Sequence, residues 1–314
     1  MKTIVLSVAQ MISIDGDIHQ NLDHAASFVA EASRQGAHLI LFPEFMPQGY
    51  RLTPELWSCG ERFDGPTVSW LRAAARQYNL YIGTSFLEAR DGHFFNTFAL
   101  AAPNGTIVGK VHKRSPSIWE AYFFKEERGS QYLDTELGRI GVGICFDNHT
   151  YEVACEIARS QVDLMLMPHS YCTPTVTSRS VTQADIDRLN HLPGMVARMY
   201  NQWFGVPVVL CNKSGIWDSP VPKTIFGQPK QYRFSGRSVI LDAGGQVRAQ
   251  SGDEEGLLTA AVTCDPNSKK RTQPPKYSRY IYPGPAGREL FRILEAVGRR
   301  QYETNPLRKQ AQPL

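Results

Sequence analysis

The chain has 314 residues, 34 Lys and Arg against 30 Asp and Glu, and a formal net charge of +4. Apolar residues make up 42% and charged residues 20%, the balance of a globular protein long enough to bury a large core without disulfides or metals. Collagen-like, disulfide-framework and disordered classes are excluded, and no apolar run reaches the roughly 18 residues needed to span a membrane.

Residues 3–9 (TIVLSVA) are β-branched and apolar and predict a buried strand. Asp15 and Asp17 follow before any small-residue cleavage site, so the segment does not read as a signal peptide. Leu22, Ala25, Ala26, Val29 and Ala32 recur on one helical face over 21–35, and Gly36 supplies the stop. A second buried strand, 38–42, ends at Pro43. Pro66 opens a helix over about 66–78 with Val68, Leu71, Ala75 and Tyr78 inward, and 80–87 is the next strand. Residues 94–111 predict two strands joined by Pro103-Asn104-Gly105-Thr106.

Further on, 139–145 predicts a strand feeding a helix at about 150–160, followed by a strand at 164–168. A helix around 193–203 leads into a strand at 206–212. A last hairpin, 236–242 with 246–249, turns at Ala243-Gly244-Gly245. The intervening segment 169–192 is longer and more polar than a tight connection requires. Strands alternate with helices early and pair as hairpins late, which implies a mixed α/β fold.

Charge divides the chain unevenly. Residues 265–314 hold 11 Lys and Arg against 4 Asp and Glu, whereas the preceding residues hold 23 against 26. Seven of the 20 prolines also fall in that last stretch. It lacks a lysine-dense run or interleaved aromatics, so nucleic acid is not the expected partner. The expected organisation is one domain, 1–264, with a basic C-terminal arm, 265–314. Within the arm, 287–300 predicts a short helix with Leu290, Ile293, Leu294 and Val297 on one face, and such a face needs covering. The six cysteines (59, 145, 155, 172, 211 and 264) include no C-x-x-C pair, so zinc ribbons are not expected and a reducing cytoplasm is.

Three segments carry candidate chemistry. Leu41-Phe42-Pro43-Glu44 puts a carboxylate just after a buried strand. Gly109-Lys110-Val111-His112-Lys113-Arg114 ends a strand in cations, and Gly143-Ile144-Cys145-Phe146-Asp147 puts a thiol at a strand end before a helix. Active sites of open α/β sheets gather at the carboxyl ends of strands. A thiolate attacks a carbonyl carbon, a carboxylate moves protons and an ammonium stabilises an oxyanion. The turn after Cys145 sets its thiol near a helix N-terminus, which is expected to favour thiolate.

With these segments in order, the sequence resembles the nitrilase superfamily of carbon–nitrogen hydrolases. The resemblance runs through FPEFMPQGY, NTFALAAPNGTIVGKVHK, DTELGRIGVGICFD, VARMYNQWFGVPVVLCNKSG and FSGRSVILDAGGQVRA. It implies a four-layer α-β-β-α sandwich, with Glu44 as general base, Lys113 as oxyanion-stabilising lysine and Cys145 as nucleophile. It further suggests Glu120, in the loop after Lys113, as a fourth member of the site. No metal or organic cofactor is implied. C-terminal arms in the superfamily often reach a neighbouring subunit, so a homo-oligomer, at least a dimer, is expected.

True nitrilases of this superfamily usually follow the cysteine with Trp-Glu; here Phe146-Asp147 stands there, which favours an amide or ureido substrate. An arginine that holds a carbamoyl amino acid's carboxylate is missing from Asn148-His149-Thr150. Trp119, Phe146, His149 and Tyr171 are the candidate substrate-binding residues. The alternatives are a nitrilase acting on C≡N and, from another class, a catalytically silent binding protein on the same fold. An intact Glu–Lys–Cys set argues against the latter.

Overall fold

The computed structural model describes residues 2–220, 231–283 and 288–314. In chain order the first half runs β1 (Lys2–Gln10), α1 (Ile18–Arg34), β2 (Leu39–Leu41), α2 (Pro66–Tyr78), β3 (Tyr81–Arg90), β4 (His93–Ala101), β5 (Ile107–His112), β6 (Tyr132–Thr135) and β7 (Gly138–Val142). Next come α3 (Tyr151–Ser160), β8 (Leu164–Pro168), β9 (Cys172–Pro174), α4 (Gln183–Phe204), β10 (Val208–Cys211) and β11 (Ile216–Trp217). The chain ends with β12 (Tyr232–Phe234), β13 (Val239–Leu241), β14 (Val247–Gln250), β15 (Gly256–Cys264), α5 (Arg288–Thr304) and α6 (Pro306–Gln310).

Two six-stranded sheets form, in the orders β15-β1-β2-β3-β4-β5 and β14-β13-β10-β8-β7-β6. Successive side chains of a strand point to opposite faces, so each strand feeds two layers. In β2, Leu39 and Leu41 join the core between the sheets, whereas Ile40 packs with α1 and α2. In β8, Leu164 and Leu166 face the inter-sheet core and Met165 and Met167 face α3 and α4. The result is a four-layer α-β-β-α sandwich. Burying each such aliphatic side chain is worth about 1.5–3 kcal/mol, and the inter-sheet layer draws on both sheets.

Local signals set most of the early elements. Asp17 caps α1 by accepting from the Gln20 N–H, Pro66 sits in the first turn of α2, and Asn79 ends α2 in the left-handed conformation. Asp91 and Gly92, at φ 52° and 71°, make the tight turn that carries β3 into β4, so both strands run longer than the sequence suggests.

Several regions differ from expectation, among them β6, where no strand was expected. Helix α4 begins at Gln183 rather than near 193, because Thr182 and Asp185 form a capping box; Pro193 lies within the helix rather than opening it. Residues 169–192 therefore hold β9 and the first turns of α4, and β9 forms a small third sheet in the order β11-β12-β9. Strand β15, not anticipated, pairs along all of β1.

Beyond β15 the chain runs back over its own body. The Lys270 N–H donates to the Phe204 carbonyl, the Tyr151 N–H to the Arg279 carbonyl and the Ile281 N–H to the His149 carbonyl. Of the face expected for the arm helix, Leu290, Ile293, Leu294 and Val297, only Leu294 is buried within this chain and the other three are exposed. The covered row is Leu294, Glu295, Gly298 and Tyr302. Gly298 lies against the Tyr122 ring with no room for a Cβ, which lets α5 close onto the turn at Glu120–Tyr122. Residue 287, the expected first residue of that helix, lies outside the described residues.

Candidate active site

In the first sheet β1, β2 and β3 run parallel, and in the second β7, β8 and β10 do. Their carboxyl ends deliver Glu44 after β2, Cys145 after β7, His169 and Ser170 after β8 and Lys213 after β10. Lys113 follows β5 directly, its N–H held by the Asn96 carbonyl at 2.8 Å.

Glu44, Lys113 and Glu120 are each 0% exposed, so their charges must be matched locally. The Lys113 Nζ donates to Glu44 Oε1 and to Glu120 Oε1, both at 2.7 Å. Glu44 Oε1 also accepts from Asn96 Nδ2 at 2.8 Å, and Oε2 accepts from the Ser170 N–H at 2.9 Å. Glu120 accepts from the Tyr50 hydroxyl at 2.5 Å and from the Ser117 N–H at 2.6 Å. With both oxygens of each carboxylate engaged, neither is free to swing.

Cys145 opens a short 3-10 turn, Cys145–His149, with φ 49°; Phe45, next to Glu44, has φ 48°. Left-handed backbone costs a side-chain-bearing residue roughly 1–2 kcal/mol and persists only where the surroundings enforce it. Here they do. Phe45 donates its N–H to Ser85 Oγ at 3.0 Å. Asn148 donates to the Gly143 carbonyl at 2.7 Å, and its side-chain oxygen occupies the place a Cβ on residue 143 would need. Asp147 accepts from the Arg114 and Ser115 N–H groups, tying the cysteine turn to the segment that follows Lys113.

Burial, helped by the Glu120 charge, raises Glu44 to about 7 although Lys113 pulls the other way. Burial also opposes the Lys113 ammonium, but Glu120 and Glu44 outweigh it and hold the amine above its ordinary range. Burial and then the Glu44 charge push the Cys145 thiol well above its usual value. The expectation that this turn favours thiolate is not met: the turn is five residues of 3-10 helix, and burial, followed by the Glu44 charge, outweighs it. The resting group is a thiol beside a carboxylate whose proton affinity is tuned to neutrality.

The expected substrate-binding residues fall in two places. His149 stacks between Phe146 (ring centroids 5.8 Å) and Tyr171 (6.4 Å), with Nδ1 2.7 Å from the Tyr282 hydroxyl of the arm. Burial lowers His149 to about 4, so its ring is uncharged at neutral pH. Trp119 instead packs against the cluster of Phe45, Tyr50 and Phe124. Among the described residues no cluster of His, Cys, Asp and Glu is arranged to hold a metal ion, and no helix is long and apolar enough to cross a membrane.

Residues 6–267 match the carbon-nitrogen hydrolase family. The chain belongs to that family. Relatives include a bifunctional nitrilase/nitrile hydratase of Nicotiana tabacum, 28% identical over 82% of this chain and 77% of the relative. An N-carbamoylputrescine amidase of Arabidopsis thaliana is 25% identical over 86% of this chain and 90% of its own. The omega-amidase of Homo sapiens is 30% identical over 54% of this chain and 63% of its own. A solved carbon-nitrogen hydrolase from Helicobacter pylori G27 superposes with a TM-score of 0.75 at 21% identity, covering 84% of this chain and 90% of that one. Membership of this family makes the protein a carbon–nitrogen hydrolase, and its relatives include both nitrilases and amidases.

Tyr50, Asn96, Ser170 and Lys213 were not anticipated. Ser170 and Lys213 obey the rule that singled out Glu44, a polar residue just past a buried strand, and were legible on that ground. Asn96 is a lone amide among the apolar residues of β4, a weaker sign. Nothing local distinguishes Tyr50, which reaches Glu120 across 70 positions.

Proposed function

We propose that this hydrolase cleaves an amide of a neutral acid, with Cys145 as nucleophile, Glu44 as general base and Lys113 as oxyanion stabiliser. The observation that carries the reading is the buried Glu44–Lys113–Glu120 chain beside the Cys145 thiol. Glu44 removes the thiol proton as Sγ adds to the substrate carbonyl carbon. The carbonyl oxygen takes up the negative charge, matched by the Lys113 ammonium and the Phe146 N–H. Protonated Glu44 gives its proton to the departing nitrogen, ammonia or an amine leaves, and a thioester remains on Cys145. Glu44 then accepts a proton from water as it attacks the thioester, and the carboxylic acid departs with the thiol restored. Glu120, its oxygens filled by Lys113, Tyr50 and Ser117, holds the lysine in place.

The acyl group is argued from the residues after the nucleophile. Asn148 is turned inward to Gly143 and His169, and His149 is uncharged, so neither offers a cation to a substrate carboxylate. The stacked Phe146, His149 and Tyr171 rings suit a flat or apolar acyl group and support the substrate-binding assignment of these three. Trp119, next to Glu120 and packed on the aromatic cluster of Phe45, Tyr50 and Phe124, would bound the site on its other side. Comparing kcat/KM for an amide and a nitrile of the same acyl group tests the bond type. The amide is expected to be the better substrate; preference for the nitrile overturns the reading.

Unpaired cysteines support a reducing cytoplasm as its compartment. Leu290, Ile293 and Val297 of α5, 45%, 60% and 42% exposed, support a homo-oligomer in which this row meets a second copy. Light scattering should then give a dimer or larger mass for the chain and a lower one for Ile293→Glu with Val297→Glu. An unchanged mass refutes the assembly through α5.

A further inference from the structure

Close to Glu44 lies a buried cation that this mechanism leaves unused. Lys213, immediately beyond the end of β10, is 1% exposed, yet no carboxylate is among its hydrogen-bond partners. Its Nζ donates to the Phe45 carbonyl at 3.1 Å and to Ser13 Oγ at 2.6 Å, and Ser13 Oγ donates onward to the Met46 carbonyl at 2.9 Å. Phe45 and Met46 are the two residues that follow Glu44, and Phe45 is the one in the left-handed conformation. The base of the lysine is itself anchored. The neighbouring Asn212 side chain bonds to Tyr171, Ser235 and Gly236, and the Lys213 carbonyl accepts from the Gly236 N–H.

Packing alone would be served better by an apolar side chain, since a buried amine with no carboxylate in hydrogen-bond contact is costly. What an amine adds is donors aimed at carbonyls. We propose that Lys213 is a positioning residue for the general base: by holding the Phe45 carbonyl directly and the Met46 carbonyl through Ser13, it fixes the turn that aims Glu44 at the Cys145 thiol, and its charge favours the carboxylate form of Glu44. The inference rests on Glu44 being the base and goes beyond it, because Lys213 acts through the backbone next to Glu44 rather than on the reacting atoms.

The electrostatic half has a definite sign. Groups facing Lys213 are Asp15 from the turn after β1, Glu44 from the end of β2 and Cys211 from β10. Burial brings Lys213 down to about 7, while these three draw it back up. Coupling is mutual, so a charged Lys213 lowers the proton affinity of Glu44 as Glu44 raises that of Lys213. Glu44 acts as a base only when ionised, so kcat falls as pH drops through its value of about 7. Removing the Lys213 charge moves that acid limb to higher pH.

Three variants, each checked for native circular dichroism, test this with the amide used above. Lys213→Met is expected to lower kcat about 10- to 100-fold with KM changed less than about threefold, as misplacement of a catalytic group does. Its acid limb should also move up by about half a pH unit or more. Ser13→Ala, which keeps the charge and the bond to Phe45, should lower kcat several-fold with the limb unmoved. Glu44→Gln separates the two readings: if it retains activity, the general-base assignment fails and Lys213 falls with it. If Glu44→Gln is inactive while Lys213→Met keeps wild-type kcat and pH profile, the Lys213 inference alone is overturned. Should Lys213→Met not fold, Ser13→Ala decides, and an unchanged kcat in that variant refutes the positioning role.

Discussion

Cys145→Ala is expected to abolish turnover while leaving the fold intact. The side chain is small and buried, and alanine at φ 49° carries the same left-handed backbone cost as cysteine, so folding energetics change little. The chemistry, by contrast, loses the atom proposed to form the thioester. Removing a nucleophile that works as part of a unit costs roughly 10⁴-fold or more in rate. The check is ammonia release by the variant at high enzyme concentration, beside its circular dichroism and thermal midpoint. Turnover at the wild-type rate would sink the assignment. An acyl adduct on the Cys145 peptide of the wild type, seen by mass spectrometry after acid quench, would establish the intermediate directly.

Lys113→Met should cost both activity and stability. Loss of one oxyanion donor typically removes about 10²–10³ in kcat. The stability loss has a different origin: Glu44 and Glu120 each lose a 2.7 Å partner and face one another buried. Breaking a buried ion pair by deleting one partner costs about 3–5 kcal/mol. Part of that is recovered by proton uptake, and this fixes the pH dependence. Glu44 is already raised to about 7, and losing Lys113 raises it further. A carboxyl whose folded value lies above its unfolded value of about 4.3 binds more protons folded than unfolded, so stability falls as pH rises between the two. The deficit of the variant relative to wild type should therefore be larger at pH 8 than at pH 5, measured by urea denaturation. A deficit that shrank with rising pH would contradict the ion-pair account. Combined with Glu44→Gln, the rate losses should be less than additive, because the two groups serve one step.

Much of this protein was legible in short stretches of chain. The amphipathic spacing of Leu22, Ala25, Val29 and Ala32, the Pro66 start and the unbroken apolar run of β8 are local properties, and α1, α2 and β8 follow them closely. Where Glu44, Lys113 and Cys145 sit was equally local, since each lies within three residues of the end of a strand-forming run. Complementary chemistry at three such ends then pointed to a shared cleft, and to the superfamily.

What needed the folded chain was everything decided by partners far away in sequence. Strands of two or three residues, such as β9, β11 and β12, are too short for a period of two to register and exist only because they pair with one another. Strand β15 pairs with β1 from the far end of the body, and no turn signal announces such a partner. The arm helix was visible as a helix, but the face it buries depended on the Tyr122 ring accepting a glycine at 298. Proton affinities belonged wholly to tertiary structure. A cysteine before a turn suggests a thiolate, and local patterning told only that a thiol, a carboxylate and an amine stand at strand ends. Their burial beside Glu120, Tyr50 and Ser170 decided that the thiol keeps its proton and that Glu44 titrates near neutrality, because the cost of a buried charge is set by what surrounds it in space.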